Sequence, residues 1–227
     1  MAIPSSWILS NDIYIEQVGD SLDLDIVQDG TNNVIGTSST DVTLEGDNMT
    51  FSIRQEGNAN TIAAVIKGTT YTGTWSFTGN SNTVDLLCSS TTTGNCDTVT
   101  LNITTTGDSN TFDFDIGETA DASSSTVNFT LTGDNSDVVA AIDGQSVAAT
   151  VTVDNSTSLA TTSASSDEGN AITLNIDGDG DVEGNTVTLD ITGGGSTYDV
   201  TQSGINDNYV DATFDGDSQD VDITQSD

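Results

Sequence analysis

Apolar residues recur at every second position along most of the chain. Ile13-x-Ile15-x-Gln17, Leu24-x-Ile26-x-Gln28, Phe51-x-Ile53-x-Gln55, Tyr198-x-Val200-x-Gln202 and Val221-x-Ile223-x-Gln225 all read apolar-x-apolar-x-Gln. Trp75-x-Phe77-x-Gly79, Leu101-x-Ile103, Phe129-x-Leu131-x-Gly133, Leu174-x-Ile176 and Leu189-x-Ile191 keep the alternation without the amide. A period of two places one face of a strand in a core and the other in solvent. Thr, Val and Ile, abundant in these segments, suit strands. No segment holds a helical period. The single proline, Pro4, lies outside the repeats and leaves backbone pairing uninterrupted.

Glycines punctuate the alternation. They stand at Gly19 and Gly30, then at Gly46, Gly57, Gly68 and Gly79, with every step inside each group equal to 11. Looser pairs follow at Gly107 and Gly117, Gly133 and Gly144, and Gly204 and Gly216. A period near 11, doubled to 22, predicts an all-β fold, a β-solenoid of strand-turn-strand units with strands of about five residues. The turns are repeated almost verbatim: GNANTI from Gly57, GNSNTV from Gly79 and GDSNTF from Gly107. Glycine takes positive φ without a Cβ penalty, and Asn bonds to nearby backbone in tight turns. Stacked amides both donate and accept, so identical neighbours satisfy one another. The expected turn-and-ladder set is Gln17, Gln28, Gly30, Asn33, Gln55, Gly57, Asn60, Gly79, Asn82, Gly107, Asn110, Gln202 and Gly204.

The period lapses in two places. Residues 87–98 surround "SSTTTGN" between Cys88 and Cys96, and residues 154–170 are rich in Ser and Thr. Both read as excursions from the rungs, and the second as a divider. The expected organisation is an apolar N-terminal anchor or cap over 1–12, containing Ile3, Trp7, Ile8 and Leu9, then solenoid repeats over 13–153. The excursion 154–170 and C-terminal β repeats over 171–227 complete it. Cys88 and Cys96 form either a local disulfide or two free thiols; two thiols without histidine make a poor metal site.

Charge narrows the partners. Thirty-six acids face two bases, Arg54 and Lys67, for a net charge of -34. Low hydrophobicity with high net charge is the usual signature of disorder, but the regular alternation argues for a fold. In "LDLDI" and "TFDFDIG" the acids Asp23, Asp25, Asp113 and Asp115 occupy the outward positions of strands. Two cations cannot neutralise a run of phosphates, so no nucleic-acid partner is expected. No apolar run approaches the roughly 20 residues of a membrane-spanning helix. The start "MAIPSSWILSNDIY" lacks a basic segment and a sustained apolar core. The expectation is folding in the cytoplasm where the chain is made.

Catalytic chemistry finds little to use. The chain has no histidine, the commonest general base. "GDGDVEG" has Gly but no Lys and is not a phosphate loop. No enzymatic activity and no resident cofactor are expected. "DGDGDVEGN" sets Asp177, Asp179, Asp181 and Glu183 at alternate positions, an arrangement that supplies several oxygens to calcium. Thr188 stands where an EF-hand would carry its last acid, so calcium at this loop is a candidate against a plain acidic turn.

The Gln-x-Gly-x-x-Asn core, with its flanking alternation, resembles the curlin repeat. Gln55-Glu56-Gly57-Asn58-Ala59-Asn60 and Gln28-Asp29-Gly30-Thr31-Asn32-Asn33 carry it fully. Gln202-Ser203-Gly204-Ile205-Asn206-Asp207 carries it with a final Asp, and Gln17-Val18-Gly19 carries its first half. The resemblance implies a β-solenoid and, in that family, an extracellular amyloid fibre. Val65 and Met49 stand where the family has a further Gln and its leading Ser. In general character the chain also resembles virion structural proteins of marine tailed phages. The leading expectation is a structural subunit of a phage fibre, whisker or decoration, assembled in the host cytoplasm with copies of itself or other subunits. A secreted, extracellular curli-like fibre subunit is the alternative. A module adhering to host-surface glycans through the excursions is the third.

Overall fold

The structure is a computed structural model of the 227-residue chain. It describes residues 10–30, 32–36, 42–57, 59–78, 81–88, 98–106, 109–117, 124–132, 135–143, 147–154, 169–178, 185–192, 195–204, 208–215 and 220–226. The first strands are β1 (Ser10–Ile13), β2 (Glu16–Val18), β3 (Asp23–Asp29), β4 (Asn32–Ile35), β5 (Val42–Glu45), β6 (Met49–Glu56) and β7 (Thr61–Lys67). There follow β8 (Tyr71–Thr78), β9 (Ser81–Cys88), β10 (Val99–Thr106), β11 (Ser109–Ile116), β12 (Ser125–Thr132) and β13 (Asn135–Asp143). The last are β14 (Val147–Asp154), β15 (Gly169–Gly178), β16 (Thr186–Thr192), β17 (Gly195–Gly204), β18 (Tyr209–Asp215) and β19 (Val221–Ser226). The described residues contain no helix, and so none long and apolar enough to cross a membrane.

Consecutive strands alternate between two parallel sheets from β6 onward, and the chain is a β-solenoid. One sheet has eleven strands, on the path β1-β4-β7-β9-β11-β13-β15-β17-β19, with β2 and β5 joining beside β7. The other runs β18-β16-β14-β12-β10-β8-β6-β3. Every coil adds one rung to each sheet, and the inward residues of both sheets meet in one continuous core. Because pairing is parallel and in register, residues at the same level form columns along the rod. Ile62, Val84, Phe112, Val138, Ile172 and Tyr198 make one such column in the eleven-stranded sheet. Ile53, Trp75, Ile103, Phe129, Val151 and Leu189 face it from the other sheet. All are buried. At roughly 25 cal/mol per Å² of apolar surface removed from water, this burial is the main favourable term in the fold.

Several expectations are corrected. From β6 to β18 the strands run seven to ten residues, not five. The repeat is a coil of variable length. Met49 pairs with Tyr71, an offset of 22, whereas Tyr71 pairs with Val99 and Ala148 with Thr186. Parallel register depends on the strands and tolerates insertions between them, since lengthening a loop adds little closure entropy. Residues 10–12 belong to β1, residues 87 and 88 to β9, residue 154 to β14, and residues 169 and 170 to β15. The segment 154–170 divides nothing: β13 pairs β15 and β14 pairs β16 across it, so both sheets run on. The apolar cluster of residues 1–9, and the interiors of the two excursions at 89–97 and 155–168, lie outside the described residues.

Candidate functional site: turn columns, amide ladders and two outer faces

The conspicuous polar features are the corners. Asn33, Asn60, Asn82 and Asn110 are buried and belong to one column of the eleven-stranded sheet. Asn60 Nδ2 donates to Asn33 Oδ1 at 3.4 Å, and Asn82 Nδ2 donates to Asn110 Oδ1 at 2.8 Å. Asn33 also donates to the carbonyls of Gln28 (3.2 Å) and Glu56 (3.1 Å), tying its own corner to the next rung. Register extends the column to Asn11 below and to Ser136, Asn170 and Ser196 above. Those four were not singled out from the sequence. The clue was slight: each stands two residues before the first apolar residue of an alternating segment, but none sits in the Gly-x-x-Asn motif.

Glutamine plays two parts. Gln55 Nε2 donates to Gln28 Oε1 at 2.6 Å, a rung of ladder within the eight-stranded sheet. The amide of Gln28 also reaches the Val34 carbonyl at 3.0 Å, that of Gln55 the Thr61 carbonyl at 3.5 Å, and that of Gln202 the Tyr209 carbonyl at 3.4 Å. Each thereby bridges its corner to the strand that follows. Stacking is not general. Gln202 lies in the eleven-stranded sheet between Ile176 and Gln225, and half-buried Gln17 of β2 donates to the Gly19 carbonyl at 2.8 Å. Above Gln55 the column turns to Phe77, Thr105, Leu131 and Val153.

Glycine is required by close approach between rungs. Gly57 has φ 146°, and a Cβ there would run into the Gly30 carbonyl oxygen and the Asn33 side chain. Its amide donates to the Thr78 carbonyl above at 2.9 Å, as Gly30 donates to Glu56 at 3.0 Å. Gly19, Gly46 and Gly68 form a second column at the other corner. Beside it Asp20 Oδ1 accepts from the Asp47 amide (3.0 Å) and Asp47 Oδ1 from the Thr69 amide (3.1 Å). A cavity of about 230 Å³ opens along this corner, lined by Val18, Glu45 and Lys67 among others. Gly204 ends β17 beside Gly178 of β15. Gly79 and Gly107 lie outside the described residues.

The remaining candidates add less. Cys88 is buried and disulfide-bonded; Cys96 lies outside the described residues. Of the calcium loop, Asp177 falls in β15, while Asp179, Asp181 and Glu183 lie outside the described residues. No cluster of three or more metal-ligating side chains occurs among the described residues. At a corner that sequence reasoning missed, buried Asn185 accepts from the Val147 amide at 3.1 Å and donates its own amide to Asn208 Oδ1 at 3.1 Å.

The two outer faces differ. On the eleven-stranded sheet, Asp85 stacks in register on Asp113, Asp115 and Asp137 point outward beside them, and Asp199 lies three rungs on in the Asp113 column. The outward positions of β8, β10 and β12 are occupied only by Thr, Ser and Asn. Arg54 lies below this neutral patch and pairs with Glu56 two residues along β6.

No protein-family model matches the chain, and no curated protein or solved structure matches it significantly. What the fold and the corners define is a class: a parallel β-solenoid with polar corner ladders.

Proposed function

We propose that the chain is a non-enzymatic structural subunit that stacks end to end in a larger assembly, with a virion fibre, whisker or decoration as the setting. One observation carries this reading: the two ends of the eleven-stranded sheet present the same motif. At one end stand Ile13, Ile15 and Gln17, half-buried. At the other, β19 continues the rod's register with Val221 (39% exposed), Ile223 (41%) and Gln225. The columns that end in Val221 and Ile223 are fully buried one rung earlier, at Tyr198 and Val200. Head-to-tail stacking of two copies would bury both apolar pairs and set Gln225 beside Gln17. A head-to-tail contact that does not close into a ring propagates as a filament. The high negative charge opposes the approach of two copies, and salt relieves it, since the screening length is about 10 Å at 0.1 M and about 3 Å at 1 M.

Light scattering and electron microscopy over a salt series test this. Particles that lengthen with salt, and an Ile223→Lys chain that stays short, are the expected results. A chain that remains monomeric at every salt concentration, alone and with candidate partner subunits, would reject end-to-end stacking. The buried Gln28–Gln55 and asparagine ladders favour the curli-like reading as an alternative. It requires in addition that filaments seed their own growth and bind amyloid dyes. The glycan reading rests on the excursions, which lie largely outside the described residues.

A further inference from the structure

The neutral outer patch is a two-dimensional array. Twelve outward positions on β8, β10 and β12 hold nine threonines, with Ser76, Asn102 and Asn128. Thr72, Thr100 and Thr126 stand side by side in one column, and Ser76, Thr104 and Thr130 in another. The array continues onto β14 through Thr150 and Thr152. Its repeats follow from strand geometry, about 4.8 Å from rung to rung and roughly 6.6 Å from one outward residue to the next. Three strands of four positions give a patch of roughly 10 Å by 20 Å, which the two positions on β14 widen at its centre. Parallel pairing has no slip from β8 to β14, so the columns stay aligned.

Strand propensity does not account for this composition. The opposite sheet has the same preference for β-branched residues, and at the same levels of the rod it carries Asp85, Asp113, Asp115 and Asp137 outward. A chain with 36 acids has kept every charge off three successive strands of one face. Charge returns only at the margins, with Arg54 and Glu56 on β6 and Asp154 on β14. The side chains are also stiff. Threonine is restricted at χ1, and Asn128 Nδ2 donates to Asn102 Oδ1 at 2.8 Å, fixing the middle of the array.

A surface that repeats in two dimensions recognises a ligand that repeats in two dimensions. Each threonine offers a hydroxyl that donates and accepts and a methyl that bonds no water. Charged groups, which would impose their own hydration shells, are excluded. A crystalline polysaccharide would call for an aromatic platform, and the patch contains no aromatic side chain. Water in a crystal lattice remains: the rung repeat of about 4.8 Å lies close to the shorter oxygen repeat on a prism face of hexagonal ice, and the roughly 6.6 Å repeat falls somewhat short of the longer one. We propose that the threonine face of β8, β10, β12 and β14 binds the surface of ice crystals, with its hydroxyls holding lattice-like water and its methyls spacing it.

The proposal is independent of end-to-end assembly, and separate measurements can fail separately. The test is nanolitre osmometry and ice-recrystallisation assay of the purified chain, with Thr104→Tyr and Thr130→Tyr on the array and Asp113→Tyr on the opposite face. All three positions are exposed, and circular dichroism checks that each variant keeps its β-spectrum. The expected result is faceted ice growth and a thermal hysteresis gap for the unaltered chain, retained in Asp113→Tyr and lost in both threonine variants. Should either tyrosine variant lose its β-spectrum, Thr104→Lys, which a solvated strand accepts, makes the same comparison. Rounded crystals with no hysteresis, equal activity in all variants, or preferential retention on cellulose or chitin would each overturn the proposal.

Discussion

A single column of the eight-stranded sheet is built in two ways. In β3 and β6 it holds Gln28 and Gln55, buried and hydrogen-bonded to each other. From β8 onward it holds Phe77, Thr105, Leu131 and Val153 at the same backbone level. The backbone pairing is parallel and in register through both. The lower part keeps its level by specific bonds, and the amides also bridge the corners. The upper part keeps it by packing. Phe77, Phe112, Phe114 and Phe129 form one ring cluster, with Phe114 and Phe129 centred 4.7 Å apart. An amide ladder needs a like partner on the adjacent rung, because an unpaired buried amide costs about 1–3 kcal/mol. An apolar column needs only volume, and so admits Phe, Leu and Val in any order.

The largest effect that would test this contrast is Phe129→Ala. It removes the ring that packs on both Phe112 and Phe114 and should cost about 3–5 kcal/mol in urea unfolding. A loss as small as that of a surface substitution would mean that packing does not hold the upper part. Gly57→Ala comes next in the laddered part. The added methyl meets the Gly30 carbonyl at a φ that disfavours L side chains, and the expected cost is about 3 kcal/mol. Gln55→Leu should lose about 1–3 kcal/mol, because Gln28 Oε1 then faces a methyl group. A neutral outcome there would show that the lower part, too, stands on packing alone.

Alkali sharpens the contrast at its boundary. Tyr71 in β8 is buried over Gly73, and burial pushes its phenol well above the ordinary value of 10.0. Folded Tyr71 therefore keeps its proton at a pH where the unfolded chain releases it. Its contribution is fully present below about pH 10 and is lost as pH rises further, by up to about 1.4 kcal/mol per pH unit. Denaturant melts on either side of pH 10 should show that slope, and Tyr71→Phe should flatten it. Asp113→Asn, outward on β11 and next to Asp85 in register, should shift stability by no more than about 0.5 kcal/mol. A large loss would reveal that the acidic face holds structure and not only charge.

Much of this architecture is legible in the sequence. Alternation at Phe51-x-Ile53 or Leu101-x-Ile103 identifies a buried strand face because side chains on a strand must alternate. The glycine period identifies a coil because each corner recurs where the rung below left its carbonyl. The asparagines after those glycines were visible as a set because they share a motif. Asn185, Ser136, Asn170 and Ser196 were not, since their neighbours in the sequence are unrelated and only register brings them into line. The threonine array escaped notice for a similar reason. Thr72, Thr100 and Thr126 are ordinary strand residues one at a time, and they become a surface only when three rungs are stacked.

The sequence by itself determined that the chain forms strands, which residues of each strand face the core, and that glycine must stand at the corners. These are local consequences of period, propensity and steric demand. Only the tertiary structure decided which rung lies on which. Insertions of different length between strands leave the spacing along the chain irregular, from 22 residues between Met49 and Tyr71 to 38 between Ala148 and Thr186. Register is settled across space, by burial of matched columns and by amides that find their like. The ladders, the continuous core and the neutral patch on β8, β10 and β12 opposite an acidic face all follow from that pairing.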